Sequence, residues 1–330
     1  MVIYGHAFAL AAPCSSCFDF VSRYFHYRYS GDVGLEILFV ISGFLVSASY
    51  DNRNSLFGFI ESRALRLLPA LWICLILTVA IGAHFSNLSL KEFFASPETW
   101  GYLKWNGSLV VPRYNLPGVT LVPNAQYGTS LNGSIWSLPI EMRLYFMVGT
   151  IGAAGILMRR QYFNFLLLIL VLLGMFARPY FPFLGVGDPN LHLAVFFGAG
   201  AFLYVNRMDV PVHWGLLGLL FLASYLGWTC GAGGFQIFFG AFIAYGVLIF
   251  GYARKIPLPK WIEDYSYGIY IYGWPIEQLL RHYSPGIGPY RMAIIALVLS
   301  WVAGAISWHG IEKHALRLKT TRRPTVTTAA

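Results

Sequence analysis

Apolar residues run through this chain in blocks of roughly 16 to 24, separated by short polar connections, with little two-residue alternation. A helix rises ~1.5 Å per residue, so about 20 mostly apolar residues cross a hydrocarbon core. On that basis the pattern predicts helical spans at 1–13, 31–50, 64–84, 134–157, 162–177, 191–206, 213–229, 234–253, 264–283 and 290–311. The first block is too short for a full crossing, which leads us to expect a chain that starts inside its first span. The fold expected is all-α: a polytopic membrane bundle of about ten transmembrane helices, the first truncated at its amino end. The stretch 85–133 carries Pro97, Pro112, Pro117 and Pro123 among many polar residues, and is expected to be a folded loop outside the bilayer.

Composition agrees with the pattern. Of 330 residues, 57% are hydrophobic and only 11% charged, where soluble domains carry about a quarter charged. The net charge of +9 does not point to nucleic acid, because the basic residues are scattered between apolar runs rather than gathered in a stripe. They act instead as topology signals. Placing the amino terminus inside puts Arg53, Arg63, Arg66, Arg159, Arg160, Arg207, Lys255, Lys313 and Arg317 in the cytoplasm, and far fewer basic residues in short outer loops. Both termini are then cytoplasmic, in the plasma or inner membrane of what we expect to be a bacterium. Four cysteines are too few for a disulfide scaffold, and Cys14 and Cys17 form a lone Cys-x-x-Cys without the second pair a zinc site needs. No metal is expected.

Ionisable groups inside spans are costly and so are functional candidates. His6, Glu36 and Glu141 each lie about 8–10 Å below the outer end of their spans at ~1.5 Å per residue, which would put three acid-base groups in one layer. His6 could also be a core histidine bonded to a neighbouring helix, and Glu36 an interfacial residue beside Asp32. Glu141 is harder to set aside, because Ser134, Ser137, Glu141 and Tyr145 recur at helical spacing as a polar stripe. Arg63 and Arg66 share one face at the start of the third span. They suit a phosphate-bearing ligand, or serve as ordinary positive-inside anchors.

Several stretches then match one pattern in order. GDVGLEILFVISGFLVS at 31–47, FIESRALRLLP at 59–69, SIWSLPIEMRLYF at 134–146, DYSYGIYIYGWPIEQ at 264–278 and SWHGIEKHALRLK at 307–319 together resemble the integral-membrane acyltransferase-3 family. The departures are Leu38 for a Phe, Glu36 for the usual Asp, and Gly273 where many members have a His. The resemblance implies a transmembrane acyltransferase domain over 1–319, followed by a disordered cytoplasmic tail at 320–330. It implies transfer of an acetyl or other acyl group from acetyl-CoA or another acyl-CoA to a hydroxyl of a cell-surface polysaccharide or a lipid-linked sugar.

His6 falls on the family's catalytic histidine, whose basic partner would lie before Met1; the resemblance implies an acetyl-CoA-dependent O-acyltransferase, with a loss of activity as the alternative for the chain as it starts here. Arg63 and Arg66 fall on the family's Arg-x-x-Arg segment and would bind the acyl-CoA. Glu141 and Glu36 would join His6 in catalysis, and Trp136, Ser137, Tyr145 and Tyr267 would contact substrate. The reading from another class is a transporter or flippase for polysaccharide intermediates, since charges within the membrane mark transport paths too. Inverted repeats would favour it, and none is visible.

Overall fold

In a computed structural model the described residues are 1–11, 19–25, 27–53, 55–122, 127–176, 188–229, 232–253 and 263–319. Cys14, Cys17, Cys230, Pro123 and the tail from 320 lie outside them. The described residues are mainly helical, with irregular chain at 110–122 and 127–133 and one isolated bridge between Ser86 and Val119.

The helices are α1 (Val2–Ala11), α2 (Phe20–Tyr24), α3 (Ser30–Arg53), α4 (Leu56–Phe85), α5 (Leu90–Ala95), α6 (Pro97–Gly107), α7 (Leu138–Ala153), α8 (Arg160–Phe176), α9 (Asp188–Val205), α10 (Trp214–Thr229), α11 (Ala232–Ala253), α12 (Ser266–Tyr283), α13 (Pro289–Ser307) and α14 (Lys313–Arg317). Each of the expected spans falls on one of them. Four stretches, Ser30–Arg53, Leu56–Phe85, Gly234–Gly251 and Pro289–Arg317, are long and apolar enough to cross a membrane. Others, such as Val2–Ala11 and Trp214–Gly227, are apolar but shorter.

The chain forms two compact units. The first lies within Met1–Asp32, Glu61–Met142 and Glu263–Arg322, the second within Val33–Ile60 and Arg143–Ile262. In the first, α1 packs on α12 and α13. Asp19, almost wholly buried, sets the start of two helices. Its Oδ1 accepts the Ser22 N–H at 2.9 Å as the cap of α2, and its Oδ2 accepts the Ser30 N–H at 2.6 Å at the start of α3. Gly5 and Gly31 let α1 approach that start, since a Cβ on Gly5 would stand 2.3 Å from the Gly31 nitrogen.

The loop over 86–133 is itself folded. Ser89 and Glu92 form a capping box on α5, and Ser96 caps α6. Asn87, Asn106 and Asn132 each begin an Asn-x-Ser triplet in this loop, and the side chains of Asn106 and Asn132 are buried and engaged in hydrogen bonds.

In the second unit α3 crosses α9 at two glycines: a Cβ on Gly43 would lie 2.0 Å from the Phe197 carbonyl oxygen, and one on Gly200 2.0 Å from that of Val40. Small residues allow such backbone contact where no hydrophobic force drives helices together in lipid.

Candidate active site

The site is organised by α12. Pro275, inside this helix, has no N–H to give the Ile271 carbonyl four residues back. That carbonyl instead accepts the Asn132 side-chain amide at 3.0 Å and the Cys74 thiol at 3.4 Å. Successive turns of α12 hold the segment before α7 in the same way. Tyr270 donates to the Ser134 carbonyl at 2.7 Å and meets the Ser137 hydroxyl at 2.6 Å. Trp274 Nε1 donates to the Ser130 carbonyl at 2.9 Å, and Gln278 reaches the carbonyls of Ser130 and Tyr127 at 2.7 and 2.6 Å. The Trp274 ring lies so close to Gly133 that a Cβ there would be 2.6 Å from it.

Against this frame stands His6 of α1. It is 4% exposed, packs edge-on to Trp274 with centroids 4.7 Å apart, and points Nδ1 at Oε2 of Glu277, 3.2 Å away. Glu277 is fully buried. The approach is close but not aligned as a hydrogen bond, so His6 Nδ1 and both Glu277 oxygens lack hydrogen-bond partners among the described residues. A buried carboxylate facing one imidazole nitrogen is the arrangement that orients a histidine base.

His6, Trp274 and Trp136 line a cavity of about 680 Å³, together with Tyr29, Tyr114, Asn115 and Ser130. The Ser130 hydroxyl is buried and without a partner among the described residues. Tyr29 packs against Gly31 beside this cavity; burial, and then the neighbouring Asp32, push its phenol well above the ordinary value of 10.0, so it stays protonated.

The remaining sequence candidates fall in several places. Ser137 and Trp136 belong to the 3-10 turn Ser134–Ser137; Trp136 lines the cavity, whereas the buried Ser137 hydroxyl meets Tyr270 and is not part of its lining. Glu141, in the first turn of α7, is half-buried in the same unit. Tyr267 donates to the Leu67 carbonyl at 2.9 Å and ties α12 to α4 rather than lining the cavity. Glu36 and Tyr145 belong to the second unit. There Glu36 Oε1 is 2.6 Å from His192 Nε2, and Tyr145 meets the Ser42 hydroxyl at 3.2 Å. The carboxylate brought to His6 is therefore Glu277, which the sequence reading did not single out, although an ionisable residue inside the 264–283 span was its signal.

Arg66 lies in a separate polar cluster of the first unit. Its guanidinium bridges Asp264 at 2.7 Å and Glu312 at 3.1 Å and stacks 5.1 Å from the Trp308 ring centre. Beside it Glu263 accepts from Lys313 at 2.6 Å and from Trp308 at 2.8 Å. Arg63, one turn earlier on α4, is half-buried. The closing Ile-Glu-Lys stretch thus fastens a π-turn, Trp308–Glu312, to the start of α12 and to α4.

The model of the acyltransferase domain family matches residues 1–308. The chain is similar to a protein named O-acetyl transferase from Shigella phage Sf6, 27% identical over 96% of this chain and 92% of that one. It is also similar to nodulation protein 10 of Rhizobium leguminosarum bv. viciae, 26% identical over 87% of this chain and 83% of that one. No solved structure matches it. With the family's motifs in order and its model matched over nearly the whole length, the chain belongs to the acyltransferase-3 family and is a helical membrane acyltransferase.

Proposed function

We propose that this protein transfers an acetyl group from acetyl-CoA to a hydroxyl of a cell-surface carbohydrate or its lipid-linked precursor, in the inner membrane of a bacterium. Both termini are cytoplasmic in this reading, and the acceptor is reached from the outer side. The observation that carries it is the buried His6–Glu277 pair on a cavity lined by aromatic and hydroxyl groups. The similarity to a protein named O-acetyl transferase supports acetyl as the group moved.

A thioester is already activated, so the protein supplies proton removal, proximity and donors for the oxyanion. Glu277 faces Nδ1 of His6 at 3.2 Å and aligns with it when the acceptor binds, leaving Nε2 to take the proton of the acceptor hydroxyl. The oxygen attacks the thioester carbonyl. The tetrahedral oxyanion is met by the Ser130 hydroxyl, and collapse expels the CoA thiolate, which recovers the proton from His6. Arg63 and Arg66 attract the donor's phosphates. Arg66 does so by sharing or exchanging its carboxylate partners, which makes its donor role a competition rather than an open site.

The test is His6→Ala and Glu277→Gln in cells, with acetylation of surface glycans measured by mass spectrometry per molecule of inserted protein. Loss of a general base costs about 10²- to 10⁴-fold, and that loss is expected for His6→Ala at normal expression. Full acetylation by the His6 variant would remove it from the mechanism. Radiolabelled acetyl trapped on wild type and not on His6→Ala would replace direct attack by an acetyl-histidine route.

A further inference from the structure

A second hollow, about 700 Å³, lies in the folded loop of the first unit. One wall is the face of α6 that carries Glu98, Gly101, Tyr102 and Trp105, spaced as successive turns of a helix. The other is the strap Pro112–Asn115. This strap is held in place: the buried Asn106 side chain donates to the Arg113 carbonyl at 2.9 Å and accepts the Arg113 N–H at 2.8 Å, which fixes the backbone and leaves the Arg113 side chain exposed. Lys104 lies over the Trp105 ring, 5.1 Å from its centre. Tyr114 and Asn115 line both this groove and the His6 cavity, so the two hollows are neighbours that share this wall.

We propose that this groove is a glycan subsite, holding the sugar residue next to the one acetylated. This rests on the carbohydrate-acceptor reading above and adds that the acceptor must have at least two pyranose residues. Partly exposed Trp105 and Tyr114 present ring surfaces against which the C–H face of a pyranose packs. Glu98, Arg113 and Asn115 supply acceptors, a forked donor and an amide for the hydroxyls around its edge. A cation and an anion facing one groove suit a neutral polyol better than a polyanion or an apolar chain. The Asn106 clamp prepares the groove before the ligand arrives, which lowers the ordering cost of binding. A glycan with one hydroxyl at His6 and its next residue at Trp105 would lie across Tyr114 and Asn115, the residues that both hollows share.

The experiment uses the full chain in lipid nanodiscs with acetyl-CoA and defined glycosides of one to six hexose, deoxyhexose or uronic acid residues. For a backbone that is acetylated, kcat/KM is expected to rise about tenfold or more from one residue to two or three, the size of effect that one Trp or Arg anchor carries. Trp105→Ala/Arg113→Ala should abolish that length preference, and Arg113→Ala alone, at an exposed side chain, should reduce it with the folded loop intact. Trp100→Ala, an exposed tryptophan of α6 outside the groove, should keep it. Acetylation of sugars with no length preference, or a preference unmoved by the double variant, overturns the subsite while leaving the carbohydrate reading standing. Acetylation of no glycan by the wild type overturns both.

Discussion

Pro275 withdraws the helical donor from the Ile271 carbonyl, and Asn132 supplies another at 3.0 Å from the segment that lines the cavity. Both partners are buried, so the bond joins helix and loop where neither has water to fall back on. Asn132→Ala leaves that carbonyl with only the weak Cys74 thiol. An unsatisfied buried group costs about 1–3 kcal/mol, and we expect a loss of stability of that order, read as a lower thermal midpoint in detergent. In the Pro275→Ala background, where the helix can mend its own bond, the same substitution should cost less. Equal costs in both backgrounds would show that Asn132 does not act through Ile271.

Gly133 has a positional rather than a stabilising role. A Cβ there would stand 2.6 Å from the Trp274 ring, which is itself tied to Ser130 and packed on His6. Gly133→Ala must displace the ring, and the displacement passes to the imidazole. Misplacement of about 1 Å can cost on the order of 100-fold in rate. We expect acetylation per inserted molecule to fall by 10- to 100-fold, with little change in the amount inserted; unchanged acetylation would show that the ring yields without moving His6.

These contacts mark what the sequence could and could not reveal. The helices were legible because lipid imposes a period and a length that residues record locally, and each expected span from 1–13 to 290–311 falls on a helix. How many of them cross a membrane is not fixed by that agreement, since α1 and α10 are apolar but short. His6 was legible as a charge-bearing group in an apolar run. Its neighbour Glu277 was not, because the pairing joins residues far apart in sequence and depends on which way α12 faces. Glu36 was legible as a buried acid, yet its partner His192 lies on α9 and follows only from the α3–α9 glycine crossing. The stripe Ser134, Ser137, Glu141 and Tyr145 was read as one helical face. The stripe instead divides: Ser134 and Ser137 lie in a 3-10 turn and bond Tyr270, whereas Tyr145 belongs to the other unit and meets Ser42.

In the proposed function Arg66 would exchange one partner for another. Asp264 is mostly exposed, with 62% side-chain accessibility, whereas Glu312 is buried. A phosphate would displace the exposed partner first. Asp264→Asn is therefore expected to tighten acetyl-CoA binding by a few-fold, since the guanidinium loses a competitor at a surface pair worth about 0–1 kcal/mol. Arg66→Lys, a point charge in place of a fork, should weaken it. Calorimetry on purified protein measures both, and unchanged affinity in each would leave Arg66 with a structural role alone.

The last expectation concerns pH and the fastening of the closing stretch. Glu263 precedes α12, and the Lys313 ammonium, with help from Trp308, holds its carboxyl below the ordinary value of 4.5. A group whose value is depressed on folding stabilises the folded state above its unfolded value and loses that contribution as pH falls through the folded one. The thermal midpoint of wild type should therefore exceed that of Glu263→Gln by a constant amount from neutral pH down to about 5.5, and the gap should close below 4.5. Glu263 is about a third exposed, with 31% side-chain accessibility, so the gap should be small and should shrink in salt. A gap that instead widened on acidification would mean that the carboxyl is protonated in the folded protein and that Lys313 is held by something else.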